Sequence, residues 1–367
     1  VIIRENEEDS YSGIEHQQTP DVVQCLKLIS RPGSERVIRY AFEYARMNNR
    51  KRVTCMMKDN IMKMTDGLFH KIFDEVAQEY PDIEADHWII DIGMAKMADT
   101  PEDFDVIVMP NLYGDIASDV AAQIAGSVGL AGSANIGDQA AMFEAIHGSA
   151  PRRAGQGIAN PSGLLHGAIM MLVHIGQPEV AARIHNAWLR TIEDGVVTYD
   201  LARNTGKPSV GTMDFARGVV ERLGQLPQTL TPVEYARVER KPQATPARER
   251  VRVKPQRDLD GVDVFLYNDE LSPNELGQRL EQLAGPEFRL VMIDNRGLKV
   301  YPGGFPETFV SDHWRCRFQP VEEGQAATKE GIRALLGRLE AAGFDWIKLE
   351  NLYRFDGKPA YSLGQGQ

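Results

Sequence analysis

The chain has 367 residues, 43% of them hydrophobic and 25% charged, enough for two domains, or for one large domain and a small one, each around a real core. With 41 basic against 52 acidic residues the net charge is −11, which argues against nucleic acid as a main partner. Cys25, Cys55 and Cys316 are widely spaced with no metal-ligand pairing, which fits a reducing cytoplasm. The richest apolar run, Ala168 to Val173, lies between His166 and His174 and is too short to span a bilayer, so no membrane partner is expected.

In chain order, Val1-Ile2-Ile3 reads as a strand already in progress, and the natural protein is expected to be longer at this end. Pro32-Gly33-Ser34 signals a helix start with Ser34 as N-cap, and Val37, Ile38, Ala41, Phe42 and Ala45 keep helical period after it. Val53 to Met57 reads as a second buried strand ending at Lys58. Thr65 is placed to cap a helix through Leu68, Ile72, Phe73 and Val76. His87 to Ile90 reads as a third strand, ending at Asp91. Val106 to Met109 is the fourth, bounded by Asp105 and Pro110.

The stretch after that fourth strand is the most informative. A polar turn with Gly114 leads into a helical pattern through Ile116, Val120 and Ile124, and Asp115 and Asp119 are four apart, so they share one helix face. An open α/β sheet places ligands at this edge, and two carboxylates there suit a hard divalent cation. The bland alternative is that acids at a helix start only complement its dipole. His147, set before Gly148, Ser149, Ala150 and Arg152-Arg153, suits a phosphorylated ligand meeting backbone N–H groups. Two helices follow, Pro161 to Ile175 and Pro178 to Glu193. The alternation of strands and helices predicts an α/β fold with a mostly parallel sheet and flanking helices.

The chain reads as a first region over residues 1–224, a Pro- and Arg-rich linker over 225–260, and a small α+β domain over 261–367. In that last domain the order β-α-β-β-α-β suggests a ferredoxin-like unit. His313, Arg315, Cys316 and Arg317 read as strand and surface residues rather than ligands, and the domain's expected work is oligomeric contact or regulation.

Four motif runs together resemble the β-decarboxylating isocitrate/isopropylmalate dehydrogenase family: Arg4-Glu5-Asn6-Glu7-Glu8-Asp9-Ser10-Tyr11-Ser12-Gly13-Ile14-Glu15, Lys58 to Lys63, Asn111 to Asp119, and His147-Gly148-Ser149-Ala150-Pro151. The first run is similar to the form isocitrate enzymes carry, and Glu350 to Pro359 resembles the C-terminal extension of a bacterial subgroup. The resemblance implies oxidative decarboxylation of isocitrate to 2-oxoglutarate and CO2. It implies Tyr11 and Lys58 as proton-handling catalytic residues, and Arg4 and Asn60 at the substrate. Asp115, Asp119 and a partner subunit's counterpart of Asp91 would hold Mg²⁺ or Mn²⁺, in a homodimer whose sites are shared.

For the cofactor, the resemblance implies His147, Gly148, Ser149, Ala150, Arg152, Arg153, Asn160, Tyr199 and Arg203. Family members that use NAD carry Asp-Ile where this chain has Arg152-Arg153. Arginine pairs with a 2′-phosphate that a carboxylate would repel, so NADP is expected. The family's N-terminal segment, with a GDGIGPE-like turn and further substrate-binding residues, has no counterpart in this sequence. Two alternatives stand beside the main expectation: a related enzyme acting on homoisocitrate or isopropylmalate, and an inactive fragment or regulatory subunit.

Overall fold

Short apolar strands bounded by charge build the sheet on which the candidate residues stand. This computed structural model describes residues 1–203, 208–235 and 254–363, and the chain divides into two units: Val1–Ser12 with Lys27–Arg248, and Gly13–Leu26 with Glu249–Gln367. Strand β1 (Ile2–Arg4) is followed by a hairpin, β2 (Glu15–Gln17) and β3 (Val23–Cys25), that belongs to the second unit. The first unit continues through α1 (Arg31–Met47), β4 (Arg52–Met57), α2 (Thr65–Ala77), β5 (Glu84–Ile89), α3 (Ile90–Asp99), β6 (Val106–Met109) and α4 (Asn111–Ile124).

Strands β1, β6, β4 and β5 lie side by side in that order, all parallel. Their central members are mostly apolar, with Thr54 the one polar residue buried among them, because both faces are covered. Val53, Cys55 and Val108 pack with Ile38, Phe42 and Phe73 of α1 and α2. Met56, Ile107 and Met109 pack the opposite face with Met97 and Ala117 of α3 and α4. Parallel strands share one C-terminal edge, so Arg4, Lys58 and the starts of α3 and α4 emerge on the same side.

Three helix starts differ from the sequence expectation. Helix α1 begins at Arg31 with Ser30 as cap, its hydroxyl accepting from Gly33 N at 3.1 Å, while Ser34 is buried inside and donates back to Ser30 O. Pro32 in the first turn explains the earlier start, since its missing N–H costs nothing there. Thr65 is the first residue of α2 rather than its cap, and Met64 precedes it without a side-chain bond. Asp91 does not close a strand; it sits in the first turn of α3.

Beyond α4 comes an antiparallel pair, β7 (Gly132–Ile136) and β8 (Ala141–Ala145), which the glycine-rich sequence there does not announce. Helix α5 (Ser162–His174) lies against it at backbone contact: a Cβ on Gly167 would stand 2.7 Å from Glu144 O, and one on Gly163 2.9 Å from Ala131 O. Helices α6 (Pro178–Glu193), α7 (Tyr199–Ala202) and α8 (Thr212–Glu221) complete the unit around Ala187, Trp188, Phe215 and Val219.

The stretch after α8 is tied to α6. Asn186 exchanges two hydrogen bonds with the backbone of Val233, and the His185 ring meets the Tyr235 hydroxyl at 2.7 Å. Glu193 accepts from the Thr229 hydroxyl and from the backbone of Gln228, Thr229 and Leu230, which draws its carboxyl from an ordinary 4.5 down to about 2. A depressed folded-state value contributes stability above the unfolded value and loses it as pH falls through the folded one. A small melting-temperature gap between wild type and Glu193→Gln, on the order of 1–2 °C for a half-buried surface group, is therefore expected at pH 6. It should close between about pH 4.5 and 2, as thermal scans across that range would register; a gap that persists at pH 2 refutes the assignment.

Residues 236–253, half of the stretch read as a linker, lie outside the described residues. The second unit runs β9 (Arg257–Tyr267), α9 (Pro273–Leu283), β10 (Phe288–Asn295), β11 (Leu298–Tyr301), β12 (His313–Pro320), α10 (Lys329–Ala341), β13 (Asp345–Phe355) and β14 (Lys358–Pro359). Its antiparallel sheet has the order β11-β10-β12-β9-β13-β14. Its inner order is β10-β12-β9-β13, with a helix after the first and third of these strands in the chain. Leu276, Leu280, Leu335 and Leu339 of the helices pack on Val264, Leu266, Trp314 and Phe318 of one sheet face. Arg317 is not a surface residue: it is 1% exposed and forks onto Asp263 with two bonds of 2.8 Å. Cys316 is buried in the core beside it. Among the described residues no helix is long and apolar enough to cross a membrane.

Candidate active site

Arg4 ends β1 directly opposite Met109 in the parallel register, so its side chain reaches over the first turn of α4. Its Nε and Nη2 donate to Asn111 Oδ1 at 3.0 and 2.7 Å, and its Nη1 donates to Asp115 Oδ1 at 2.5 Å. Gly114 makes room for it, because a Cβ there would stand 2.5 Å from Arg4 Cγ. The Tyr11 hydroxyl, on the short 3-10 turn Ser10–Ser12, donates to Asp115 Oδ2 at 2.7 Å, and the Arg4 guanidinium lies 4.9 Å from the Tyr11 ring centre. The hydrogen bond to the Asp115 carboxylate pushes the Tyr11 hydroxyl above its ordinary pKa. Asp119 stands exposed one turn further along α4.

Helix α4 starts at Asn111, so Asp115 is its fifth residue and its first turn holds no acid. The dipole explanation for these carboxylates loses its footing, since that effect fades beyond the first turn. Asn111 enters the sequence reading only as part of a motif; its structural role, 1% exposed and gripping Arg4, is new.

A second cluster forms where β4 and β5 end. Lys58 Nζ lies 2.9 Å from Asp91 Oδ1, and this hydrogen bond lowers the Asp91 carboxyl below the usual range although the group is exposed. The Lys58 backbone N donates to the buried Asp66 at 2.8 Å, and Asn60 is exposed in the turn beyond. Among the described residues, no group of three or more His, Cys, Asp or Glu side chains in this one chain could hold a metal ion. The three predicted metal ligands therefore fall into two groups, Asp115 with Asp119 and Asp91 with Lys58.

The predicted cofactor residues gather around a cavity of about 640 Å³, lined by His147, Gly148, Ala150, Arg153, Asn160, Tyr199 and Arg203. Ser149 and Arg152 are exposed and do not line it. Arg153 stacks on Tyr199, 5.0 Å from ring centre to guanidinium carbon. Sequence reasoning missed Asp200, whose carboxylate accepts from the Ser127 hydroxyl at 2.6 Å, Asn160 Nδ2 at 2.9 Å and the Thr198 hydroxyl at 2.5 Å. These bonds join three loops, and although burial opposes it, together they hold the carboxyl below its ordinary value. A larger cavity of about 1150 Å³ is lined by Arg4, Asp115 and Asp119 and also reaches His147 and Gly148.

With this geometry in hand, comparison with known proteins is specific. The family model for isocitrate/isopropylmalate dehydrogenase matches residues 1–219, and that for the bacterial isocitrate dehydrogenase C-terminal domain matches residues 257–367. The chain is 53% identical over 368 residues to a Rickettsia typhi protein named isocitrate dehydrogenase [NADP], covering 100% of this chain and 76% of that protein. A Thermus thermophilus protein of the same name is 45% identical, with 100% of this chain and 73% of that one covered. A solved Thermus thermophilus protein superposes with a TM-score of 0.92 at 44% identity, over 100% of this chain and 73% of that one. The solved isocitrate dehydrogenase from Methylococcus capsulatus gives a TM-score of 0.59 at 49% identity, over 61% and 67% of the two chains. The paired Arg4–Asp115 and Lys58–Asp91 clusters thus stand in a chain that belongs to the isocitrate/isopropylmalate dehydrogenase family.

Proposed function

We propose that this protein is an NADP-dependent isocitrate dehydrogenase that decarboxylates its substrate, acts as a homodimer with shared sites, requires Mg²⁺ or Mn²⁺, and works in the reducing cytoplasm. The observation that carries the reading is the meeting of the two cavities at His147 and Gly148. One cavity offers Arg4, Asp115 and Asp119, the other Arg153, Tyr199 and Arg203. A cationic anchor and paired carboxylates thereby adjoin a pocket lined by arginine, as a small polycarboxylate beside a phosphorylated cofactor requires.

The donor set fits the two absent groups. Asp115 and Asp119 are solvent-facing oxygen donors on one helix face, the chemistry of a hard divalent cation. Backbone at Gly148, where a Cβ would meet nothing within 4 Å, and the Arg153–Tyr199 stack fit a nucleotide phosphate. When bound, the cation would stabilise negative charge developing on the substrate oxygen and NADP would accept the hydride. The chain's own residues do the rest. Arg4, held by Asn111, presents a fork to a substrate carboxylate. Tyr11, kept protonated by Asp115, holds a proton to deliver to carbon after CO2 leaves. Lys58, paired with Asp91, handles the hydroxyl proton.

The separation of Lys58–Asp91 from Arg4–Asp115 supports the dimer. So do Ile61, Ile92 and Ile116, which are 69%, 49% and 53% exposed and sit beside Asn60, Asp91 and Asp115. Bare isoleucines around polar site residues suit a surface that a second copy covers. The buried thiols of Cys55 and Cys316 suit the reducing compartment.

Initial rates decide the function. With isocitrate, NADP and Mn²⁺ the purified protein is expected to turn over, with kcat/KM at least ~10²-fold above that for isopropylmalate, whose missing carboxylate leaves polar groups unpaired, and about tenfold or more above that for homoisocitrate, whose extra methylene displaces a carboxylate. Chelation should abolish the rate. Preference for either other acid would replace isocitrate as the substrate, and turnover indifferent to chelation would remove the metal from the reading.

A further inference from the structure

Between the two clusters lies a charged network centred on Lys27, a residue outside the motifs and outside the proposed chemistry. Lys27 Nζ sits 2.8 Å from Asp9 Oδ1 and 3.4 Å from Asp66 Oδ1, with the Lys27 side chain 17% exposed and both carboxylates at 0%. Its ammonium also lies 4.7 Å from the centre of the Tyr113 ring. Each aspartate organises one end of the site. Asp9 adopts φ +69°, accepts from Ser10 N at 2.8 Å and Leu112 N at 3.1 Å, and its carbonyl takes the Ser12 hydroxyl at 3.0 Å. It therefore fixes the turn that carries Tyr11 against the start of α4. Asp66 accepts the backbone N–H of Lys58.

We infer that Lys27 is a positioning residue that ties the Tyr11 turn to the Lys58 turn through the buried carboxylates of Asp9 and Asp66. Two buried anions need a cation between them, because an uncompensated charge in that place is costly. Without the ammonium the carboxylates repel, and the relaxation moves the two turns they hold. Arg4's bonds to Asn111 and Asp115 do not pass through Lys27, so substrate anchoring is spared. The inference rests on the roles proposed for Tyr11 and Lys58. In the proposed dimer those two residues serve different sites, so Lys27 joins the proton donor of one site to the lysine of the other.

The test is steady-state kinetics of Lys27→Met in the purified enzyme, with folding checked by circular dichroism. The expected result is a kcat lowered about tenfold or more with the isocitrate KM within about threefold, the split that lost positioning gives and lost binding does not. If Lys27→Met fails to fold, Lys27→Met/Asp66→Asn removes the cation together with one of the anions. That variant is expected to fold and show the same split. A folded variant of either kind with kcat within twofold of wild type overturns the inference, as does a rise in KM with kcat unchanged. A wild-type protein that does not oxidise isocitrate overturns the functional reading, and this inference with it; normal wild-type turnover beside an unaffected variant overturns this inference alone.

Discussion

Mixed as subunits in one preparation, a Lys58→Met chain and an Asp115→Asn chain are expected to recover about a quarter of the wild-type rate of isocitrate oxidation, since random pairing makes half the dimers mixed and each mixed dimer keeps one intact site. Alone, each variant should lose on the order of 10²–10³-fold in kcat, the cost of removing a group that stabilises charge or moves a proton in the transition state. The geometry of the single chain motivates this expectation. Asp115 is bound on both oxygens by Arg4 and Tyr11, whereas Lys58 pairs with Asp91 elsewhere on the sheet edge. If one site takes Asp115 from its own chain and Lys58 from its partner, a mixed dimer gathers both defects into one site and frees the other. If both came from the same chain, every site in the mixture would carry one defect. Refolding or co-expressing the two variants and measuring the rate separates these cases, and a mixture no faster than its components would rule out shared sites.

Much of this arrangement is legible in the sequence for a definite reason. Strands buried on both faces appear as mostly apolar runs, and in a parallel sheet the polar residue ending each run lands on the common edge. Arg4, Lys58 and Asp115 are visible that way, and the spacing of Asp115 and Asp119 alone puts them on one face of α4. Other parts have no local mark. Helix α5 packs on the β7–β8 pair at backbone distance, through Gly132 of β7 and Gly163 and Gly167 of the helix, so the pair leans on a partner helix that its own residues do not announce. Lys27, Asp66 and Asp200 are single polar residues whose partners lie far along the chain, as Ser127 and Asp200 do at 73 positions apart. Periodicity sees neighbours on an element and cannot see such bonds. Ser34 fails as a cap because Ser30 with Pro32 makes a better start four residues earlier.

Cofactor choice is the prediction that the structure sharpens most. Replacing Arg152 and Arg153 by Asp and Ile is expected to lower kcat/KM for NADP by about 10²-fold, the loss of charge-assisted bonds worth about 1.5–3 kcal/mol. The rate with NAD should hold or rise, because the new carboxylate repels a 2′-phosphate but can take ribose hydroxyls. The two arginines should not contribute equally. Arg153 lines the cavity and stacks on Tyr199, while Arg152 points to solvent and borders it only in sequence. Losing Arg153 also removes a cation–π contact that holds Tyr199 in place. Arg153→Ile alone should therefore shift the NADP-to-NAD ratio more than Arg152→Asp alone, and Arg203→Ala, across the same cavity, should shift it in the same direction. Comparison of kcat/KM for both cofactors in the three single variants tests this ordering. An unchanged preference in the double variant would mean that neither arginine reads the phosphate. A larger effect from Arg152 would mean that the loop after His147 closes on the cofactor and brings that side chain into the cavity.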